Sequence, residues 1–245
     1  LDQTDVALKC YKKALTFKPD YADAHANRGN AMKRLKRLDE ALASYELAIA
    51  IDPELAFILG DIYVTKLRLC IWDDLASNLN ELTSKVNNGE KALNPFIALA
   101  VIDDPEIQRK AAEIYANEKY PQCYVLPKIE RYPKHKKIRI GYFSQDFRNH
   151  PVARLTAELY EMHDRERFEI HAFSYGPDTE DEMNLRIKKG VDHFHDVRTM
   201  SHKDAAMLAR SLEIDIAVDL GGFTSYARTE IFAMSAAPIQ ISYIG

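Results

Sequence analysis

An array of paired α-helices followed by an open parallel α/β sheet is the fold class that this sequence predicts, and three observations predict it. The first fifty or so residues repeat themselves at a fixed spacing. From Lys137 onward, short β-branched runs alternate with amphipathic stretches. Between the two lies a segment broken up by prolines. At 245 residues the chain can hold two ordinary domains, and an apolar share of 47% is enough to build their cores.

The repeat comes first. "ALKCYKKALTFKP" (Ala7–Pro19) aligns with "ALASYELAIAIDP" (Ala41–Pro53). Ala7/Ala41, Tyr11/Tyr45, Ala14/Ala48 and Pro19/Pro53 all match at a spacing of 34, the tetratricopeptide period. The alanines let two helices approach closely, the tyrosine fills the gap between them, and the proline stops the second helix. Gly29 stands where the first helix needs a small residue. The chain therefore opens on the second helix of a repeat, and residues 20–53 make one full repeat. From about Glu54 a degenerate unit follows, with Tyr63, Leu75 and Leu82 where small residues are expected. Its large apolar residues, among them Leu55, Phe57, Ile58, Ile62, Leu67 and Trp72, suit a second interface, so Trp72 is expected to be buried. Repeats of this kind present an extended concave groove to protein partners.

Residues 90–120 read as further helix. "DDPEIQRKAAEIYANEKY" (Asp103–Tyr120) opens with an acidic N-cap signal and places Pro105 in the first turn. "PQCYVLPKIERYPKHKK" (Pro121–Lys137) reads as a linker. The expected boundaries are 1–89 for the repeats, 90–136 for a helical linker and 137–245 for the sheet domain.

In the last region the strands are "IRIGYF", "FEIHAFSY", "VDHFHDV", "DIAVDL" and "IQISYI". The helices are Pro151–His163, Asp181–Lys189, Lys203–Leu212 and Ser225–Ser235. Strict β–α alternation means parallel strands joined by right-handed crossovers. "IAVDL" is almost continuously apolar, as a strand covered on both faces should be. The expected strand order is 3-2-1-4-5, a Rossmann-like arrangement.

Composition excludes several classes. A net charge of −4 argues against nucleic-acid binding, and "KHKK" (Lys134–Lys137) reads as a solvated stretch. The longest apolar run, "FIALAVI", is too short to span a bilayer, and no signal-peptide pattern opens the chain. Three scattered cysteines without metal spacing suit a reducing compartment, so a cytoplasmic location is expected. The chain begins at Leu1 rather than Met, and it reads as part of a longer protein.

In an open parallel sheet, ligands bind beyond the carboxyl ends of the strands where strand order reverses. Here that point lies between the first and fourth strands, whose loops are "SQDFRNHP" (Ser144–Pro151) and "DLGGFTSYAR" (Asp219–Arg228). Gly221 and Gly222 serve either a close backbone approach or a tight turn. Pro151 suits the first helical position and keeps the preceding residue extended, which places His150 at the N-cap. The helix N-terminus disfavours imidazolium, so His150 is either a neutral group that accepts a proton or orients a hydroxyl, or simply a cap. His193 and His195 flank Phe194 on one strand face, but no third metal ligand follows at a recognisable spacing, and no metal is expected. Ser144, Asp146 and His150 lack the G-x-S-x-G elbow of a hydrolase, and "GYFSQDF" lacks a dinucleotide fingerprint.

Repeats followed by "KIRIGYFSQDFRNHP", "FEIHAFSYGPD", "DHFHDV", "LEIDIAVDLGGFTSYAR" and "IFAMSAAPIQISYIG" strongly resemble the O-linked N-acetylglucosamine transferase and SPINDLY-like family, above all its bacterial members. "LCIWDDL" and "NPFIALAVIDDPEIQRKAAEIYA" resemble the linker of that bacterial group. The resemblance implies a GT-B glycosyltransferase, with two Rossmann-like lobes and the active site between them. The sheet here would be the amino-terminal lobe, and a second lobe would follow Gly245. His150 of "NHP" matches the family's cleft histidine, with Asp146 and Asn149 in the same loop. Gly222, Phe223, Thr224 and Arg228 match its glycine loop, next to Gly221. Ser235 and Ala236 depart from the Arg-Pro usual there.

The implied reaction moves a sugar, N-acetylglucosamine by expectation, from a nucleotide-sugar (UDP-N-acetylglucosamine) to Ser or Thr of proteins recruited by the repeats, with no other cofactor. The same chemistry with fucose and a non-catalytic repeat scaffold are the alternatives. This chain by itself is expected not to transfer sugar, since the rest of the donor site would lie in the second lobe.

Overall fold

The computed structural model describes residues 3–130 and 132–244. The chain divides into two compact units, the first ending at Lys119 and the second beginning at Tyr120.

The first unit is helical: α1 (Gln3–Phe17), α2 (Ala22–Arg34), α3 (Leu38–Ile51), α4 (Ile58–Arg68), α5 (Leu75–Asn87), α6 (Pro95–Val101) and α7 (Pro105–Lys119). The repeat packs as its sequence pattern requires. Ala41, Tyr45 and Ala48 are completely buried on α3. A Cβ at Gly29 of α2 would lie 2.5 Å from the Tyr45 ring, so the absent side chain is the space the ring fills. The Tyr45 hydroxyl, which would otherwise be an unpaired buried donor, reaches Asn30 Oδ1 at 2.9 Å.

The degenerate unit builds a core of its own. Tyr63, Leu82, Leu93, Ala98 and Ile107 are buried together, drawn from α4 to α7 and the segment before α6. Asn94 caps α6 by accepting from the Ile97 N–H at 3.0 Å. Asp104 does the same for α7 through Glu106 and Ile107, as the acidic signal before Pro105 indicates. Phe57 and Ile58 are buried, but Trp72 is not: it is 59% exposed, against expectation. It sits in the turn between α4 and α5, where Cys70 and Asp74 both take positive φ. That turn carries it off the apolar helix faces that the other large residues occupy.

The second unit is a five-stranded parallel sheet: β1 (Ile138–Ser144), β2 (Phe168–Ser174), β3 (His193–Asp196), β4 (Ile216–Asp219) and β5 (Ile239–Ser242). The order is β3-β2-β1-β4-β5, as the β–α alternation implies. The connecting helices are α8 (Pro151–Met162), α9 (Glu182–Gly190), α10 (His202–Ser211) and α11 (Glu230–Ala233). Side chains alternate across the sheet. Ile140, Tyr142, Ile170, Ala172 and Val218 face α8 and α9, while Phe143, Phe173 and Ala217 face α10 and α11. Phe143 and Phe173 stack at 4.3 Å between centroids. Gly141 leaves room for them, since a Cβ there would fall 2.9 Å from the Phe173 ring.

The helix expected over Ser225–Ser235 shrinks to the single turn of α11. Gly222, Tyr226 and Ser235 all have positive φ, which no α-helix tolerates. Arg210 of α10 then pins the end of this segment, donating to the carbonyls of Met234 at 2.7 Å and Ser235 at 2.8 Å. The Met234–Ser235 stretch is thus held through its backbone.

Candidate functional site

β1 ends in Ser144, and its loop turns back at once: the Asp146 N–H donates to Ser144 Oγ at 2.9 Å. Ser144 is buried, and its hydroxyl accepts a main-chain hydrogen bond in this turn. Asp146 is buried too. Its charge is met by Arg148 Nη2 at 3.2 Å and faces His150 Nδ1 at 3.6 Å.

His150 is the N-cap of α8. Its backbone is extended, Pro151 follows at the first helical position, and Nδ1 accepts from the Val152 N–H at 3.3 Å. A neutral ring whose Nδ1 accepts carries its proton on Nε2. Asn149 is held by its neighbours: its N–H donates to Asp181 Oδ2 at 2.8 Å, and its Oδ1 accepts from Arg154.

The loop after β4 is the second wall. Asp219 Oδ1 accepts from the Gly221 N–H at 2.8 Å. Burial pushes the Asp219 carboxyl upward, and the hydrogen bonds from the glycine N–H groups oppose that. The two glycines have different tasks. A Cβ at Gly221 would come within 2.7 Å of the Tyr175 hydroxyl, whereas Gly222 takes a φ of +51°. Thr224 Oγ1 donates back to the Gly221 carbonyl at 2.6 Å. Arg228 points away from the cleft, donating to the carbonyls of Val197 at 2.9 Å and Met200 at 2.8 Å. Phe223 stacks on Tyr120 at 6.2 Å.

Between these loops lies a cleft of about 560 Å³, within the range of small-molecule sites. Of the residues expected at the site, Asp146, His150 and Thr224 line it. Asn149, Gly221, Gly222, Phe223 and Arg228 are not among its lining residues. The sequence reading missed Gln145, Arg148, Tyr175, Gly176 and Tyr226. One signal was available: "SYGP" ends β2, and β2 neighbours β1. A Cβ at Gly176 would fall 1.7 Å from the Gln145 carbonyl oxygen, so the third wall touches the first.

The polar lining is not satisfied from within. Among the described residues, Gln145 Oε1, Arg148 Nε and the Tyr175 hydroxyl are buried without a hydrogen-bond partner of good geometry, the Arg228 N–H being near the Tyr175 oxygen. Native interiors hold few such atoms, and a group of them on one cleft indicates a polar ligand. Burial raises the Tyr175 phenol, so it stays a neutral donor.

The comparisons with known proteins fit this arrangement. The model for glycosyl transferase family 41 matches residues 114–245, more than half of the chain. The chain belongs to glycosyl transferase family 41. Two tetratricopeptide models match residues 1–36 and 22–55.

Among relatives of this family-41 chain, the Arabidopsis thaliana protein named "Probable UDP-N-acetylglucosamine--peptide N-acetylglucosaminyltransferase SEC" is 34% identical over 192 residues, which is 72% of this chain and 20% of that protein. A Caenorhabditis elegans UDP-N-acetylglucosamine–peptide N-acetylglucosaminyltransferase is 39% identical over 114 residues, 45% of this chain and 10% of its own. The chain thus spans about a fifth or less of these relatives. A Thermobaculum terrenum O-GlcNAc transferase structure shares the fold, with a TM-score of 0.60 and 22% identity over 99% of this chain and 47% of its own.

Proposed function

We propose that this family-41 chain supplies part of a protein O-glycosyltransferase, which moves N-acetylglucosamine from UDP-N-acetylglucosamine to Ser or Thr hydroxyls. Its cleft would bind the polar reactants, and the repeats would recruit the protein acceptor. The observation that carries this reading is the set of buried atoms Gln145 Oε1, Arg148 Nε and the Tyr175 hydroxyl, without good partners among the described residues, at the switch point of the sheet. A sugar or phosphate offers the hydroxyls and oxygens that these groups lack.

His150 then acts as a positioning donor. With Nδ1 engaged by the Val152 N–H, Nε2–H can donate to a substrate oxygen at the cleft. Asp146, at 3.6 Å from Nδ1, favours any positive charge that develops on the ring. Thr224 adds a hydroxyl from the opposite wall, while Asn149, Gly221, Gly222, Phe223 and Arg228 hold the loops in shape.

Among the described residues no helix is long and apolar enough to cross a membrane. Free thiols at Cys10, Cys70 and Cys123 support the cytoplasm as working compartment.

The test is a transfer assay with UDP-N-acetylglucosamine and GDP-fucose as alternative donors and a Ser/Thr peptide as acceptor. It is run on this chain and on the longest polypeptide containing it. Transfer of N-acetylglucosamine by the longer protein, abolished by Arg148→Ala, is the expected result. Transfer of fucose alone would change the donor, and no transfer from either donor would leave the scaffold reading.

A further inference from the structure

His193 and His195 project from one face of β3, and the sheet supplies from β2 the partner that sequence spacing did not show. In the parallel register His171 lies opposite His193, and Glu169 stands two residues before it on the same face. His193 Nε2 is 2.9 Å from Glu169 Oε1, and His171 Nε2 is 3.7 Å from the same oxygen. All three ligand atoms fall within 4.8 Å of one another. His171 is only 3% exposed, and its Nε2 is buried without a hydrogen-bond partner among the described residues. That buried nitrogen faces a carboxylate and a second imidazole.

We propose that Glu169 Oε1, His171 Nε2 and His193 Nε2 bind a divalent transition-metal ion of the zinc class. Two imidazoles and one carboxylate form a donor set for such ions rather than for magnesium or calcium, which prefer oxygen. Metal–ligand distances of about 2.0–2.2 Å in a tetrahedron space the ligand atoms about 3.3–3.6 Å apart. The His171–Glu169 separation is close to this already. The His193–Glu169 contact has to open slightly, and the half-exposed His193 ring is free to swing.

The surrounding groups orient the ligands. His195 Nε2 lies 3.0 Å from His171 Nδ1. When His171 donates its Nδ1–H across that contact, the Nε2 lone pair is left for the ion. Arg139 Nε takes the other oxygen of Glu169 at 3.2 Å, which favours one-oxygen ligation. His193 faces solvent, giving an entry path and leaving a position for water. His171 stands four residues before Tyr175, which directly follows β2, so the site is about 13 Å back along the chain from the cleft. It is therefore a clip that ties the short edge strand β3 to β2, and it lies outside the transfer site.

The experiment is calorimetric titration of the 245-residue chain with zinc chloride at pH 7.5, paired with thermal unfolding with and without zinc. One ion per chain with micromolar or tighter affinity is expected, together with a raised unfolding midpoint. His193→Ala changes a half-exposed side chain and Glu169→Gln keeps the shape of a partly buried one, so both should fold. Each should weaken binding at least about tenfold and remove the thermal shift. His202→Ala, at the start of α10, should leave both unchanged. No binding up to millimolar zinc would overturn the proposal. So would binding that survives in both His193→Ala and Glu169→Gln, because the free cysteines would then be the ligands.

Discussion

Gln145 Nε2 donates to the main-chain carbonyl of Ser225 at 2.7 Å, which joins the loop after β1 to the loop after β4 across 80 residues of sequence. The same nitrogen lies 3.5 Å from Thr224 Oγ1. One side chain therefore sets the width of the cleft between its first two walls.

Gln145→Ala should release that latch. A hydrogen bond of this kind contributes about 0.5–1.5 kcal/mol, and its exposure puts it toward the lower end. Urea unfolding should show a loss in that range, and hydrogen exchange at Thr224–Ala227 should speed up. If exchange there stays as slow as in the parent chain, the loops are held by something other than Gln145.

His150→Ala should lower turnover in the active protein by about 10²–10⁴, the range for a positioned proton-handling group. His150→Gln, which keeps a donor near the place of Nε2, should retain more activity than His150→Ala. Equal loss in both variants would point to a base rather than a donor. Unchanged turnover in both would leave His150 only a helix cap.

Two glycines give a graded pair of stability tests. Gly29→Ala places a Cβ 2.5 Å from the Tyr45 ring, and overpacking of this kind costs about 1–3 kcal/mol. Gly176→Ala places one 1.7 Å from a main-chain oxygen, where no rotamer change gives relief, so it should be worse. Chemical denaturation of both variants checks the order, and a Gly176→Ala chain as stable as the parent would refute it.

Acid should weaken the sheet unit through His163. Burial holds its imidazole below the ordinary value of 6.5, helped by the nearby Arg165 charge and opposed by Asp192. The Tyr142 hydroxyl lies 2.8 Å from Nε2, and when it donates there it is paired with the neutral ring, an arrangement that protonation reverses. The unfolded chain takes up a proton near pH 6.5 and the folded one only at lower pH. The contribution is therefore fully present above pH 6.5 and is lost as pH falls below it. His171, held down to about 4, and His195 act in the same direction. Urea midpoints between pH 7.5 and 5, measured with a chelator present, should fall less steeply in His163→Gln. An identical slope would remove His163 from the account.

Much of this was legible in the sequence, because it rests on local rules. The 34-residue period gave α2 and α3, down to the fit of Gly29 against Tyr45. The β–α alternation gave the strand order, and Pro151 gave the His150 cap. What escaped depends on contacts between distant segments. Trp72 looks like a core residue until two positive-φ positions turn it outward. The stretch around Tyr226 reads as helix until Arg228 ties it to the end of β3. Gln145, Arg148 and Tyr175 carry no motif, and their unpaired atoms matter only once three loops meet. The His171–His193 pairing is set by strand register, which spacing along one strand cannot reveal.

The central position of β1 also sets an order of events during synthesis. β1 leaves the ribosome before its neighbours β2 and β4, and the last of the three cleft walls arrives with Ser225, 80 residues after Gln145. Until then the β4-side edge of β1 has no strand to pair with, and Phe143, already stacked on Phe173, lacks its edge-on contact with Phe232. The nascent chain therefore passes through a stage in which the first β–α–β unit is present but the cleft is not, with one edge of β1 open to pairing. That interval is when a chaperone has most to protect.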